Sequence, residues 1–259
     1  MNAPDARLHG ADPSTDEAPA RRDLAACYRL AALHGWTDLV YTHISARVPG
    51  PHDHFLLNPF GLAFDEITAS SLAKIDLDGR LVDPPADGAP VRIHRAGFVI
   101  HSAVHGARPD VGCVIHTHTR AGMAVSMLEC GLLPLSQHAQ LFHGRVGYHA
   151  YEGLATELEE RERLVRDLGD KPVLILRNHG LLVAGRTVAE AFSMCFHLEK
   201  ACDAQLAAMA CGTPLSMPGE AVSAKTAARG FGNTDGPLGR DEWPAMLRRL
   251  DRIDPGWRD

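Results

Sequence analysis

Apolar positions change period several times along this chain, and each change marks an element. Residues 1–20 show no period and are rich in Ala, Pro, Asp and Ser, a composition that buries too little apolar surface to offset chain entropy, so a disordered lead-in is expected. From Arg21 the run RRDLAACYRLAALHG sets Leu24, Cys27, Tyr28 and Ala31 on one face of a helix that Gly35 would end. The segments YTHISARV, HFLLNPF and KIDLDGRLVD are rich in β-branched and aromatic residues and are separated by Pro, Gly and Asp; they predict an antiparallel sheet. AGFVIHSAVHGA predicts a helix, VGCVIHTH a strand, and residues 119–130 a second helix.

Further along, LATELEERERLVRDLG has helical spacing with Glu and Arg four apart. The preceding GYHAYEG, with Tyr148, Tyr151 and Glu152, reads as a loop. KPVLILRNHGLLVAG is a strand, a sharp polar bend and a second strand. TVAEAFSMCFHLEKACDAQLAAMACG predicts a long helix with Thr187 capping Glu190 at the start and Gly212 as the stop. Past Thr213, Gly, Pro and Ser dominate until DEWPAMLRRLDRI, which predicts one short docked helix. Helices alternating irregularly with hairpin-like strands favour a three-layer α/β/α fold around a central mixed, largely antiparallel sheet. The expected organisation is the lead-in over 1–20, one domain over 21–212 and a tail over 213–259.

Composition narrows the function classes. The 259 residues are 45% hydrophobic and 22% charged, enough for a sizeable core. A formal net charge of -6 without any Lys/Arg-rich run argues against nucleic acid or an anionic membrane as partner. No apolar run approaches the ~20 residues of a bilayer span, and the first residues lack the apolar centre of a secretory signal. A cytoplasmic location is expected. Six cysteines without C-x-x-C spacing read as small hydrophobes in a reducing compartment.

Fifteen histidines are many for this length, and spacing gives some of them chemical meaning. In VIHTH the period of two puts His116 and His118 on one face at a strand end, which is a bidentate metal arrangement. A catalytic ion needs a third protein ligand. His179 is the best candidate, because Asn178-His179-Gly180 interrupts two apolar strands where an unpartnered imidazole would be costly, and Gly180 lets the backbone pass closely behind it. His101 and His105 lie four apart on a predicted helix, without the Glu of a zinc-protease motif, and read as core groups or groups supporting the site.

The blocks THISAR, NPFG, FVIHSAVHGARPDVGCVIHTH and NHGLLVAGRTVAEAF, in that order between about Asp23 and Gly212, resemble the signature blocks of the class II aldolase/adducin family. In the sugar-phosphate aldolases and epimerases of that family an H-x-H pair and a later H-G histidine bind zinc. The resemblance therefore assigns the metal to His116, His118 and His179, with zinc first and iron or manganese as alternatives. It aligns His138 with a position near the metal, hence a proton carrier. It also implies a cyclic homotetramer with active sites between subunits, where a neighbour's segment around Trp243 would supply a missing acid or base.

The same resemblance shows departures. The family's acid four positions before His101 is Gly97 here, and the epimerases' Asp two residues after His138 is Gln140. The phosphate pocket's Asn, Thr and paired serines correspond to His43, Phe60, and about Arg95 and Ala96. Phe60 and Arg95 are accordingly expected to line the pocket, with Arg92 or Arg95 clamping a carboxylate. The implied activity is a metal-dependent lyase, of aldolase or decarboxylase type. It would cleave a carbon-carbon bond in a small carbonyl or 2-oxo/2-hydroxy acid through an enediolate that the ion stabilises. Two alternatives stand beside it: a non-haem iron oxygenase acting on an aromatic 2-oxo acid, as in some relatives, and a non-catalytic interaction domain like the adducin head.

Overall fold

The computed structural model describes residues 16–50, 53–85, 88–229 and 237–259; most of the expected lead-in lies outside them. Seven strands form one sheet. They are β1 (His43–Arg47), β2 (His54–Leu57), β3 (Ala73–Asp76), β4 (Cys113–Thr117), β5 (Val146–His149), β6 (Val173–Leu176) and β7 (Gly180–Gly185), in spatial order β3-β2-β1-β4-β7-β6-β5. Every neighbouring pair is antiparallel except β5 with β6. The mixed, largely antiparallel sheet expected from the sequence is present.

The helices are α1 (Ala18–Leu33), α2 (Arg95–Ala107), α3 (Arg120–Ser126), α4 (Gln137–Gln140), α5 (Glu160–Leu168), α6 (Val188–Ala210), α7 (Glu220–Ala228) and α8 (Glu242–Ile253). α1 begins before Arg21, with a proline in its first turn, where a missing N–H costs nothing. α6 starts where the cap residue predicts: the Thr187 hydroxyl accepts from the Glu190 amide at 3.1 Å, and the Glu190 carboxylate accepts from the Arg186 amide at 2.7 Å.

Period two divides the central strands between two environments. Ile44, Ala46, Cys113, Ile115, Val173, Ile175, Leu181 and Val183 join a buried cluster with Leu24, Tyr28, Phe192 and Leu198 from α1 and α6. On the other face Val114, Leu174, Leu176, Leu182 and Ala184 pack with Ile100 and Val104 of α2 and Leu164 and Leu168 of α5. Each such aliphatic side chain contributes about 1.5–3 kcal/mol on burial. Helices thus cover both faces, giving the three layers.

Several expectations need correction. GYHAYEG is not wholly a loop, because Val146–His149 is the edge strand β5, paired with β6 in the register Tyr148 to Ile175. The helix expected over 119–130 ends at Ser126. The tail carries two helices rather than one, α7 and α8. Trp243, at the start of α8, is buried, packs on Phe192 at 5.5 Å and donates from Nε1 to Asp23 at 3.0 Å. The Trp243 ring thus belongs to the chain's own core, whereas Asp241 and Glu242 beside it are exposed. Cys130 and Cys211 are exposed, while the other four cysteines are buried. Among the described residues no helix is long and apolar enough to cross a membrane.

Candidate metal centre

β4 and the bend between β6 and β7 deliver three imidazoles to one place. His116, His118 and His179 each offer one ring nitrogen, and these atoms lie within 4.8 Å of one another. The bend is built for this. Asn178 adopts φ 57, the left-handed region that Asn tolerates, and its amide donates to the Ser126 carbonyl. A Cβ on Gly180 would lie 2.3 Å from the Thr117 carbonyl oxygen, so only glycine lets β7 run this close behind β4. The role expected of Gly180 is seen.

Hydrogen bonds fix which nitrogen of each ring is available. His116 Nδ1 donates to the Leu181 carbonyl oxygen at 2.9 Å, and His118 Nδ1 donates to the Asp38 carboxylate at 2.9 Å. Neither acceptor can donate, so in the neutral rings both Nε2 atoms carry lone pairs. Yet those two Nε2 atoms face each other at 2.9 Å. Two lone pairs at that distance repel unless a cation lies between or beside them, and adjacent nitrogens on one ion at ~2.1 Å are about 3.0 Å apart at right angles and about 3.4 Å apart in a tetrahedron. The donor set fits a divalent metal, with Asp38 and Leu181 orienting the ligands from behind.

Electrostatics agree with neutral ligands. Burial, followed by the neighbouring imidazoles, pushes His116 well below the ordinary histidine range, and burial with His118 and His149 lowers His179 to about 4.

Around the triad lie groups that sequence reasoning left unassigned. His43 sits opposite His116 in the β1–β4 register and stacks on it at 5.0 Å between ring centroids. Its Nδ1 meets His101 Nε2 at 2.8 Å; His101 in turn bonds the Ser45 hydroxyl, which meets His105 Nε2 at 2.8 Å. This buried chain explains His101 and His105 as supports of His43. Burial lowers His101 to about 3. A Cβ at Gly97 would lie 2.6 Å from His43 Cδ2, so the His43 ring fills the space that a side chain at 97 would need. A side chain at 97 and the His43 ring could not both occupy this space as it stands.

Of the expected pocket residues, Phe60 lies 4.9 Å from His94 and 6.1 Å from Tyr41, and His94 lies 5.8 Å from His43. These rings form a wall leading to the triad, and Arg92 stacks over Phe60 at 5.0 Å. Arg95 instead donates to the Thr156 carbonyl at 3.0 Å and lies over Phe98, so of the two arginines it is Arg92 that joins the wall. His138 pairs with His197 of α6, Nδ1 to Nδ1 at 2.9 Å, and is not among the converging ligand atoms. Asp38 was missed because it lies in the loop after α1, two residues past Trp36, whose ring stacks on His34 and lies tilted against Phe192; no local pattern points from it to His118.

Comparison with known proteins shows the family. The Class II Aldolase and Adducin N-terminal domain family matches residues 22–206. A putative aldolase class 2 protein of Caulobacter vibrioides is 50% identical over 95% of this chain and 94% of its own length. Alpha-adducin of Rattus norvegicus is 43% identical over 90% of this chain, which spans 33% of that longer protein. Among solved structures, L-fuculose 1-phosphate aldolase from Glaciozyma antarctica PI12 superposes with a TM-score of 0.82 at 29% identity, covering 96% of this chain and 97% of that one.

Proposed function

The chain belongs to the class II aldolase and adducin family, and from that premise we propose that it is a metal-dependent lyase cleaving a carbon-carbon bond in a small 2-oxo or 2-hydroxy acid. One observation carries the reading: the opposed Nε2 atoms of His116 and His118, 2.9 Å apart with both Nδ1 protons committed elsewhere. A divalent ion, zinc first and iron or manganese as alternatives, supplies Lewis-acid polarisation of a substrate carbonyl when bound.

The chain's own residues do the rest. His116, His118 and His179 hold the ion, and Asp38 and the Leu181 carbonyl keep two of the rings in the ligating tautomer. Tyr41, Phe60 and His94 present an aromatic wall to the substrate, and Arg92 offers a planar cation for a carboxylate. His43 closes the space beside Gly97, where the family resemblance implies an acid, and this favours substrates other than sugar phosphates.

His138, paired with His197, is kept as the proton carrier, and the chain is assigned to a homotetramer in which a neighbouring subunit meets the site. Leu39 and Tyr41, exposed at 76% and 47% beside Asp38, form an apolar rim for that neighbour. Light scattering should give four copies, and a fully active monomer near 28.0 kDa would remove both assembly and shared site.

The reaction is tested by screening the zinc-, iron- and manganese-loaded protein against 2-hydroxy and 2-oxo acids for aldehyde or carbon dioxide release. Metal-dependent release supports the lyase, with fuculose phosphate cleaved poorly. Dioxygen uptake with an aromatic 2-oxo acid would replace it by an oxygenase. No turnover in a metal-loaded protein would favour an adducin-like interaction domain.

A further inference from the structure

Behind His179 a second set of ligand groups converges. His149 ends β5, Glu152 follows in the loop and Glu160 opens α5; each offers one ligand atom, all within 4.8 Å of one another. His149 is 3% exposed and Glu160 7%. The placement is stiff, because a Cβ on Gly147 would lie 2.4 Å from the Asp167 carbonyl oxygen, so glycine in β5 lets α5 approach this closely. Strand and helix therefore hold His149 and Glu160 at a fixed separation.

The imidazole is oriented from the far side. His149 Nδ1 donates to Asp167 Oδ2 at 2.7 Å, which leaves Nε2 as the free position. Nε2 is buried with no hydrogen-bond partner, and Glu160 Oε1 lies 3.4 Å away. A lone pair facing two carboxylates is unfavourable unless a cation joins them. A proton would draw Nε2 and one oxygen into an aligned bond of about 2.7–2.9 Å; here two carboxylates converge and no bond forms. Charge points the same way. Arg163 pairs with Glu152, and Arg166 pairs with Asp167 at 2.9 Å, while the ion pairs of the described residues leave Glu160 with His149 alone. The cleft is small, about 10 Å³, and is also bordered by His179 and Arg177; that is roughly the room of one water molecule or one ion.

We propose that His149, Glu152 and Glu160 form a second binding site for a first-row divalent cation, separate from the three-histidine centre. One imidazole nitrogen with two carboxylate oxygens suits manganese, iron or zinc, rather than the all-oxygen preference of calcium and magnesium. An ion there stands behind His179 and ties β5 and α5 to the bend that carries this ligand.

Manganese(II), counted by its free-ion paramagnetic resonance signal, tests the site. The wild-type chain should bind two ions. The His116→Ala/His118→Ala variant, which loses the first centre, should keep one. Adding Glu160→Gln to that variant should weaken the remaining site at least tenfold, and adding Glu152→Gln should weaken it less, since Arg163 already engages that carboxylate. Circular dichroism confirms that each variant is folded, and Glu160→Gln alone should still bind one ion at the histidines. A folded His116→Ala/His118→Ala protein that binds no manganese up to millimolar concentration overturns the proposal. Loss of binding in Glu160→Gln alone, with one ion kept by the double variant, would instead sink the three-histidine assignment.

Discussion

The two faces of the sheet are built from the same strands and do different work. On the side of α1 and α6, β1 and β4 present Ile44 and Ile115, packed among apolar groups. One residue along each strand, on the side of α2, they present His43 and His116, stacked on each other, with Ser45 bonded to His101 and His105. A shift of one position in register would exchange the two faces. The apolar face supplies its stability mainly through packing that needs no ligand, with Glu199 its one strongly shifted carboxyl. The histidine face carries groups that hydrogen-bond one another at a desolvation cost and that gain most from an added cation.

The largest effect expected from this comparison is on the apolar face. Ile115→Ala should cost about 2–5 kcal/mol of stability, as core truncations do, measured by urea unfolding of the apo protein. Metal affinity of the folded fraction should stay within about threefold. A variant that loses metal in proportion to stability would show that the faces are not separable.

Acid should act next, and on the histidine face. His101 and His179 are lowered in the folded state to about 3 and about 4 from 6.5, so below pH 6.5 the unfolded chain takes up protons that the folded chain refuses. Their contribution is complete above 6.5 and is lost as pH falls through that window, by about 1.4 kcal/mol per pH unit and group. Apo-protein unfolding between pH 7 and 4.5 should show this steep acid limb. Glu199 on the apolar side has the opposite sign: burial raises it to about 7 from 4.5, so its cost grows as pH rises through that range. Glu199→Gln should therefore stabilise the protein at pH 8 and change little at pH 4.5. A flat apo profile from 7 to 4.5 would contradict the buried neutral histidines.

A smaller change tests the coupling between His43 and Gly97. Helix propensity alone would make Gly97→Ala favourable by about 1 kcal/mol. The contact with His43, whose ring is held by His101 and His116, should reverse that to a loss of about 1–3 kcal/mol. His43→Asn in the same chain should recover most of it, and additive effects in the double-mutant cycle would dissociate the two positions. Smallest in stability is Asp38→Asn. It should leave the fold intact and reduce zinc affinity about 10- to 100-fold, read by competition with a chromophoric chelator; unchanged affinity would remove Asp38 from the site.

The sequence carried the layers and the three histidines that converge, because period two, period 3.6 and the cap residues are local. Thr187, the H-x-H pair and Asn178-His179-Gly180 each announce themselves within a few residues. What escaped depends on distant partners. His43 acquires its role from a cross-strand neighbour, His116, and from α2 pressing close at Gly97. β5 was read as loop because Gly147 looks like a turn residue, when it is there to admit the Asp167 carbonyl. Asp38 and the His138–His197 pair likewise join positions far apart in the chain, and no spacing rule reaches them.

The central claim is that three histidines hold a divalent ion, and the most direct measurement is thermal unfolding of chelator-treated protein before and after one equivalent of zinc. The wild-type chain should gain several degrees on metal addition, by mass action on the folded state, while His118→Ala and His179→Ala should gain little and, as apo proteins, melt no lower than the wild type. If zinc, iron, cobalt and manganese all leave the wild-type melting temperature unchanged, or if the histidine variants respond as the wild type does, the ion is not held where the geometry indicates.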